Sequence, residues 1–232
     1  LSSAASDVYK RQIIYHNGRP TCKLYYVSCP NFRYEKPQAG RLRQFHQVGI
    51  EWLGAPDPAA DAECIIMLME LFKRLGFDLS KLRLLINSMG DPSCRPAYRE
   101  TVRQFILDHA DEMCDECREH YAKVKQYLDA AGIAYVEDPT LVRGLDYYTR
   151  TVFEVEAPGA GVGSIGGGGR YDGLVELEGG KPTPGVGFAV GFERIALALE
   201  AFGVELGGQE PSCVFIANAG ADLRGEVFAL SR

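Results

Sequence analysis

The sequence predicts an α+β fold, an antiparallel sheet with helices packed against it. Several short segments alternate apolar and polar residues with the period of a half-buried strand. Other segments carry wide apolar stripes at helical spacing. The two kinds do not alternate regularly along the chain, as repeated βαβ units of a parallel sheet would require. No internal repeat is visible.

The elements follow in order. Residues 1–12 (LSSAASDVYKRQ) have no apolar periodicity and read as a disordered or extraneous leader. Residues 22–28 (CKLYYVS) are aromatic and β-branched enough for a strand. Pro30 and Asn31 interrupt it, and 32–35 resume it. Pro37 and Gly40 mark a loop. Residues 43–53 form the next strand, with Phe45 out of phase with Val48, Ile50 and Trp52. A bulge near Gln47 would absorb the slip. Asp57-Pro58 is a helix start signal, and Ile65, Ile66, Leu68, Met69, Leu71 and Phe72 form the wide stripe of a helix over 59–75 that Gly76 ends. A buried strand follows at 82–86, a helix over 96–131, a short strand at 134–136 and a longer one at 147–156. Residues 159–169 hold seven glycines and read as a loop. A helix spans 193–202. A Gly-rich linker then leads to Pro211, and Cys213 begins a new strand.

With 232 residues, 46% hydrophobic and 24% charged, the chain can bury a core of one large domain or slightly more. A net charge of −6 excludes an overall polycation, so any contact with RNA needs a local basic patch. Arg33, Lys36, Arg41 and Arg43 are the candidate. Seven scattered cysteines, no secretory signal pattern and no apolar run of membrane-spanning length point to reduced thiols and a cytoplasmic protein without a membrane partner.

The residues that could carry chemistry each have a plainer reading. Arg33 and Glu35 could be a surface ion pair, or Arg33 a fork-shaped donor to a phosphate. Gln47 and Glu51 lie four apart, on one side of a strand. They are either two solvated polar groups or an amide and a carboxylate lining a pocket. Tyr147 and Tyr148 would ordinarily divide between core and surface. Arg194 sits near a helix N-terminus, where a cation opposes the macrodipole, which hints at a specific task. Gly161, Gly163 and Gly166 spell G-x-G-x-x-G, but more glycines follow in place of a helix, so a dinucleotide site is not expected. The segment HADEMCDECREH offers His109, Cys114, Cys117 and His120. Its spacing matches no usual zinc module, and the cysteines read as half-buried helix residues, so no metal is expected there.

Three stretches, in order, carry a resemblance: FRYEKPQAGRLRQFHQVGIEWLGAPDPAA from Phe32, LVRGLDYYTRTVFEV from Leu141, and GGGGRYDGL through GFERIALALE from Gly166. Together they resemble class II aminoacyl-tRNA synthetases, specifically the histidyl-tRNA synthetases, over roughly residues 25–202. The resemblance implies the class II antiparallel sheet flanked by helices. It also implies ATP-dependent activation of histidine to histidyl-adenylate, transfer to tRNA(His), Mg²⁺ on the phosphates, and a homodimer. It places Arg33, Glu35, Arg43 and Arg194 on ATP, with Arg33 and Arg143 as catalytic cations. Gln47, Glu51, Arg143, Tyr147, Tyr148 and Tyr171 would hold histidine. The implied organisation is a catalytic core over 13–203, incomplete at its N-terminus and carrying a helical insertion at about 88–132. A linker at 204–210 and the truncated start of an α/β anticodon-binding domain at 211–232 complete it. The insertion is shorter than the family's usual one. A second reading is a non-catalytic paralogue that regulates ATP phosphoribosyltransferase. The three arginines and the new domain after Pro211 favour the ligase.

Overall fold

The computed structural model describes residues 21–27, 30–32, 34, 36–37, 42–91, 93, 113–141 and 147–204. The expected leader, the strand after Pro211, the linker, the anticodon-domain start and most of the insertion lie outside the described residues.

Seven strands form one sheet in the order β1-β4-β9-β8-β7-β5-β6. Their ranges are β1 Cys22–Val27, β4 Gln47–Leu53, β5 Arg83–Ser88, β6 Val136–Glu137, β7 Thr149–Glu156, β8 Ser164–Arg170 and β9 Gly185–Gly191. Every pairing is antiparallel except β5 with β6. A separate short ribbon joins β2 (Asn31–Phe32) to β3 (Gln44–Phe45). The helices are α1 (Pro58–Arg74), α2 (Asp115–Ala130), α3 (Leu174–Leu177) and α4 (Phe192–Ala201). A mostly antiparallel sheet with helices packed against it is thus as the sequence predicts.

Helix α1 begins where the sequence places it. The Asp57 side chain accepts the Ala59 N–H at 2.7 Å, and Pro58 takes the first helical position, where its missing N–H costs nothing. Gly76, at φ +92°, closes the other end, and the Phe77 N–H returns to the Phe72 carbonyl at 3.1 Å. Ile65, Leu68, Met69 and Phe72 are buried against Val186, Phe188 and Val190 of β9 and Ile195, Ala198 and Leu199 of α4. Helix α2 adds Tyr121, Val124 and Leu128 to this core. One face of the sheet is therefore packed by helices. The other face carries a smaller cluster that includes Leu53, Leu85, Tyr148, Val152 and Tyr171, and α3 borders it with Leu174 and Val175.

Three expectations need correction. The phase slip at Phe45 is not a bulge within one strand. The chain leaves the β2–β3 ribbon and enters the main sheet at His46, whose carbonyl accepts the Phe192 N–H at 3.0 Å. The glycine-rich run is a loop only up to Gly163. From Ser164 it is β8, an inner strand paired on both sides. A glycine strand carries no side-chain signal and loses more backbone entropy than others. Here the ladders of β7 and β9 hold it. Strand β7 starts at Thr149, two residues later than expected, and its register shifts between Thr149 and Val152. Arg150 lies in that shift at φ 51°. Strand β9 and helix α3 were not anticipated.

Candidate active site

The open face of the central strands is nearly free of side chains. On β9, Val186, Phe188 and Val190 point to the helices, so Gly185, Gly187 and Ala189 face the other way. Register puts Gly167 and Gly169 of β8 beside Ala189 and Gly187, and Gly49 of β4 on the far side of Ala189. This glycine floor lies across three strands, and its bareness is put to use. A Cβ at Gly49 would overlap the Tyr26 ring, one at Gly187 the Glu51 carboxylate, and one at Gly185 the Tyr171 ring. At Gly169 it would come within 2.9 Å of the Tyr148 ring. Four side chains from four strands or their ends thus lie down on the floor because nothing stands up from it.

These four form one polar cluster. The Tyr171 hydroxyl donates to Glu51, and both residues are buried. Burial, and then the charge of Glu51, push the Tyr171 hydroxyl well above the ordinary phenol range. Tyr26 is raised by the same two causes in the same order. Both phenols stay protonated and can donate, while Glu51 is the acceptor they face. Tyr147 packs on Tyr148 with ring centres 4.8 Å apart and planes tilted by 47°, and meets Tyr171 edge-on at 6.1 Å. Gln47 shares the strand face of Glu51, partly buried, at the end where β4 pairs with Gly191. Glu154 of β7 stands opposite Gly167, between Val152 and the sheet end, and is also partly buried on this face.

A second set lies where β4 begins and α4 begins. Glu193 accepts the His46 N–H at 3.0 and 3.2 Å, and its Oε1 lies 2.8 Å from His46 Nδ1. That tie joins the segment of Arg43, which is exposed, to the segment of Arg194. The Arg194 guanidinium donates to the Ser164 carbonyl at 2.6 Å, which anchors it at the start of β8. So Gln47, Glu51, Tyr147, Tyr148 and Tyr171 share the open face, while Arg43 and Arg194 border the α4 end. Arg33, Glu35 and Arg143 lie outside the described residues.

Behind the floor, on the helix side, is a charge network the sequence reading did not find. Arg170 is fully buried and grips Asp61 of α1 through Nε at 2.9 Å and Nη2 at 2.5 Å. Its remaining donors go to the Ala55 and Asp57 carbonyls and to Asp172. His120 of α2 places Nε2 at 3.1 Å from Asp61, and its Nδ1 is 3.4 Å from the Arg150 guanidinium. A guanidinium cannot accept, so Nδ1 must, which assigns the proton to Nε2. Burial alone would raise Asp61, but the His120 hydrogen bond and the Arg170 charge outweigh it and hold the carboxyl below its usual range. The sequence signal was Asp61 itself, an acid on the same helical stripe as Ile65, Leu68 and Phe72.

The family model described as histidyl-tRNA synthetase matches residues 13–106 and 95–195. The chain is 42% identical over 267 aligned positions to a histidine–tRNA ligase of Pelotomaculum thermopropionicum, covering 99% of this chain and 62% of that protein. It is 47% identical over 232 positions to the histidine–tRNA ligase of Thermotoga maritima, covering 84% of this chain and 55% of that one.

The chain belongs to the histidyl-tRNA synthetase family.

Among solved structures, the apo histidyl-tRNA synthetase of S. aureus is similar with a TM-score of 0.73 at 36% identity, over 99% of this chain and 64% of that one. The fold is accordingly of the class II synthetase type. The chain spans somewhat over half the length of the histidine–tRNA ligases it matches. The 267 aligned positions exceed its 232 residues, so the Pelotomaculum ligase has residues inside the matched region that this chain lacks. Within the GGGGRYDGL stretch a Cβ at Gly166 would overlap the Val190 side chain, one at Gly168 the Gly187 carbonyl, and one at Gly169 the Thr151 carbonyl and the Tyr148 ring, whereas Gly173 has open space around it.

Proposed function

We propose that the chain is the catalytic core of a histidine–tRNA ligase, which activates histidine with ATP and passes it to tRNA(His). The observation that carries the reading is the buried Glu51 carboxylate on the glycine floor, among Tyr26, Tyr148 and Tyr171. Histidine offers an α-ammonium and an imidazole N–H, both donors. A carboxylate and the Gln47 amide oxygen are matching acceptors. Because Tyr171 donates to Glu51, the carboxylate is fixed in place before a ligand arrives, and Tyr147 and Tyr148 shape the slot. An analogue lacking the N–H would leave a buried acceptor unpaired, which is the basis for rejecting it.

In the proposed reaction the histidine carboxylate attacks the α-phosphorus of ATP. The new bond is carboxylate oxygen to phosphorus, and the bond to the bridging oxygen breaks to release pyrophosphate. The 3′-terminal ribose hydroxyl of tRNA then takes the histidyl group, and AMP leaves. Arg33 and Arg143, through the family motifs, are the cations that offset the two approaching anions, and Glu35 and Arg43 assist on ATP. Arg194 is anchored at Ser164, and the family motif gives it the adenine ring, by cation–π stacking. Mg²⁺ arrives with the ATP phosphates, and Glu154 offers an oxygen ligand of the type it takes. When bound, that ion neutralises phosphate charge. The protein's own work is positioning and electrostatics.

The same reading makes 13–203 the core with its insertion at about 88–132, and 204–232 the linker and start of the anticodon-binding domain. It makes the working protein a cytoplasmic homodimer. Among the described residues no helix is long and apolar enough to cross a membrane. The test is ATP–pyrophosphate exchange with each amino acid, alongside calorimetric histidine binding. Exchange with histidine alone is the expected result. Histidine binding without exchange, from a folded protein, would favour the regulatory paralogue. Neither binding nor exchange would overturn the pocket assignment.

A further inference from the structure

The start of α2 brings together groups that the spacing of the sequence kept apart. Asp91 follows the end of β5, while Cys114 caps α2 and Cys117 lies one turn inside it. One ligand atom from each of the three lies within 4.8 Å of the other two, and the Asp91 Oδ2 to Cys114 Sγ distance is 3.9 Å. We propose that Asp91, Cys114 and Cys117 form a zinc site that clamps the end of β5 to the start of α2.

The geometry suits the ion. Three atoms no more than 4.8 Å apart have a common point within about 2.8 Å of each. Zinc bonds of roughly 2.3 Å to sulfur and 2.1 Å to oxygen then need only sub-ångström shifts. Two thiolates with one carboxylate are a soft, anionic set that selects zinc over calcium or magnesium. The surroundings of the two sulfurs are electropositive. Cys114 is the N-cap of α2 and Cys117 lies in its first turn, so both stand at the positive end of the helix dipole. The Arg150 guanidinium, bound to Glu116 and His120 on either side of Cys117, interacts with that thiol as well. The carboxylate is held too, since Asp91 Oδ1 accepts the Ser93 N–H at 2.9 Å and leaves Oδ2 toward the sulfur.

Of the two histidines that the sequence grouped with this pair, His109 lies outside the described residues and His120 is already occupied by Asp61 and Arg150. The N-cap and first turn of α2 supply two ligands, and the residue three beyond β5 supplies the third. The clamp also steadies α2, whose His120 reaches the Asp61–Arg170 network behind Tyr171.

The experiment is metal analysis and Co²⁺ titration of the full chain, purified without chelator. About one equivalent of zinc is expected, and Co²⁺ should give sulfur-to-metal charge-transfer bands with tetrahedral visible absorption. Cys114→Ser and Cys117→Ser should abolish the bands, while Cys22→Ser should keep them. Asp91→Asn leaves both thiols and the buried helix face intact, and should weaken Co²⁺ affinity at least about tenfold. Circular dichroism on each variant reports folding, so a loss of bands counts only in a folded chain. Absence of stoichiometric metal would overturn the proposal. So would bands that survive Cys114→Ser or Asp91→Asn unchanged, or a Cys114–Cys117 disulfide in protein purified without oxidant.

Discussion

The Glu51 carboxylate lies over Gly187, its direct partner across the β4–β9 boundary, and a methyl group at Gly187 would collide with both that carboxylate and the Ile50 carbonyl. Strand β9 therefore needs glycine at this point for a reason other than backbone freedom. Gly187→Ala should push Glu51 off the floor and strain the β4–β9 ladder, at a cost of about 1–3 kcal/mol. Histidine binding should weaken more than stability alone predicts. Urea unfolding and calorimetry on the same variant separate the two. Unchanged histidine affinity would remove Glu51 from the pocket.

Glu51→Gln keeps the shape and still offers an oxygen to the Tyr171 hydroxyl, but it discards the charge. A hydrogen bond to a charged acceptor contributes about 1.5–3 kcal/mol against about 1 for a neutral one. Histidine affinity should fall by about tenfold or more while the unfolding midpoint stays close to that of the parent. The same change removes one cause of the raised Tyr171 and Tyr26 hydroxyls. Spectrophotometric titration of the phenols should then show them ionising at lower pH.

Alkaline pH tests the buried cluster without mutation. Tyr26, Tyr171 and Cys64 are all raised in the fold, chiefly by burial. In the unfolded chain the thiol ionises near 9 and the phenols near 10. Above those values the unfolded state sheds protons that the folded state keeps, so stability falls as pH rises. The contribution of these groups is fully present below about pH 9 and declines beyond it. Each such group steepens the loss by about 1.4 kcal/mol per pH unit. Urea midpoints from pH 8 to 11 should be flat and then descend.

Much of this was legible in the chain. The alternation Val48, Ile50, Trp52 fixed the face of Glu51 and Gln47, and Asp57-Pro58 fixed the start of α1 to within a residue. The reading failed where side chains are absent. Strand β8 is written Ser-Ile-Gly-Gly-Gly-Gly-Arg, and hydrophobic periodicity has nothing to count there. Strand β9 does alternate, as Val186, Phe188 and Val190 between glycines and Ala189, but with glycine in the polar places it passes for a loop. Contacts distant in sequence were also out of reach. Asp61 with Arg170, and Asp91 with Cys114, meet only after the sheet has ordered its strands.

The Asp61–Arg170 pair supplies the last test, because burial makes its loss asymmetric. Asp61→Asn leaves the Arg170 guanidinium fully enclosed with its main counter-charge gone, and only Asp172, partly exposed, remains. Breaking such a pair from one side costs about 3–5 kcal/mol, since the surviving charge has lost its compensation. Arg170→Met should cost a similar amount by stranding Asp61, which His120 alone would then have to satisfy. The double variant removes both charges, so its destabilisation should fall well short of the sum of the two singles. The cycle, read by urea unfolding at neutral pH, gives the coupling directly. Below about pH 4 the gap between parent and Asp61→Asn should narrow. Asp61 is held below its usual range in the fold, so its contribution is present above the unfolded value and is lost as acid protonates the carboxylate. Simple additivity in this cycle would mean that the two charges are solvated independently, contrary to their complete burial.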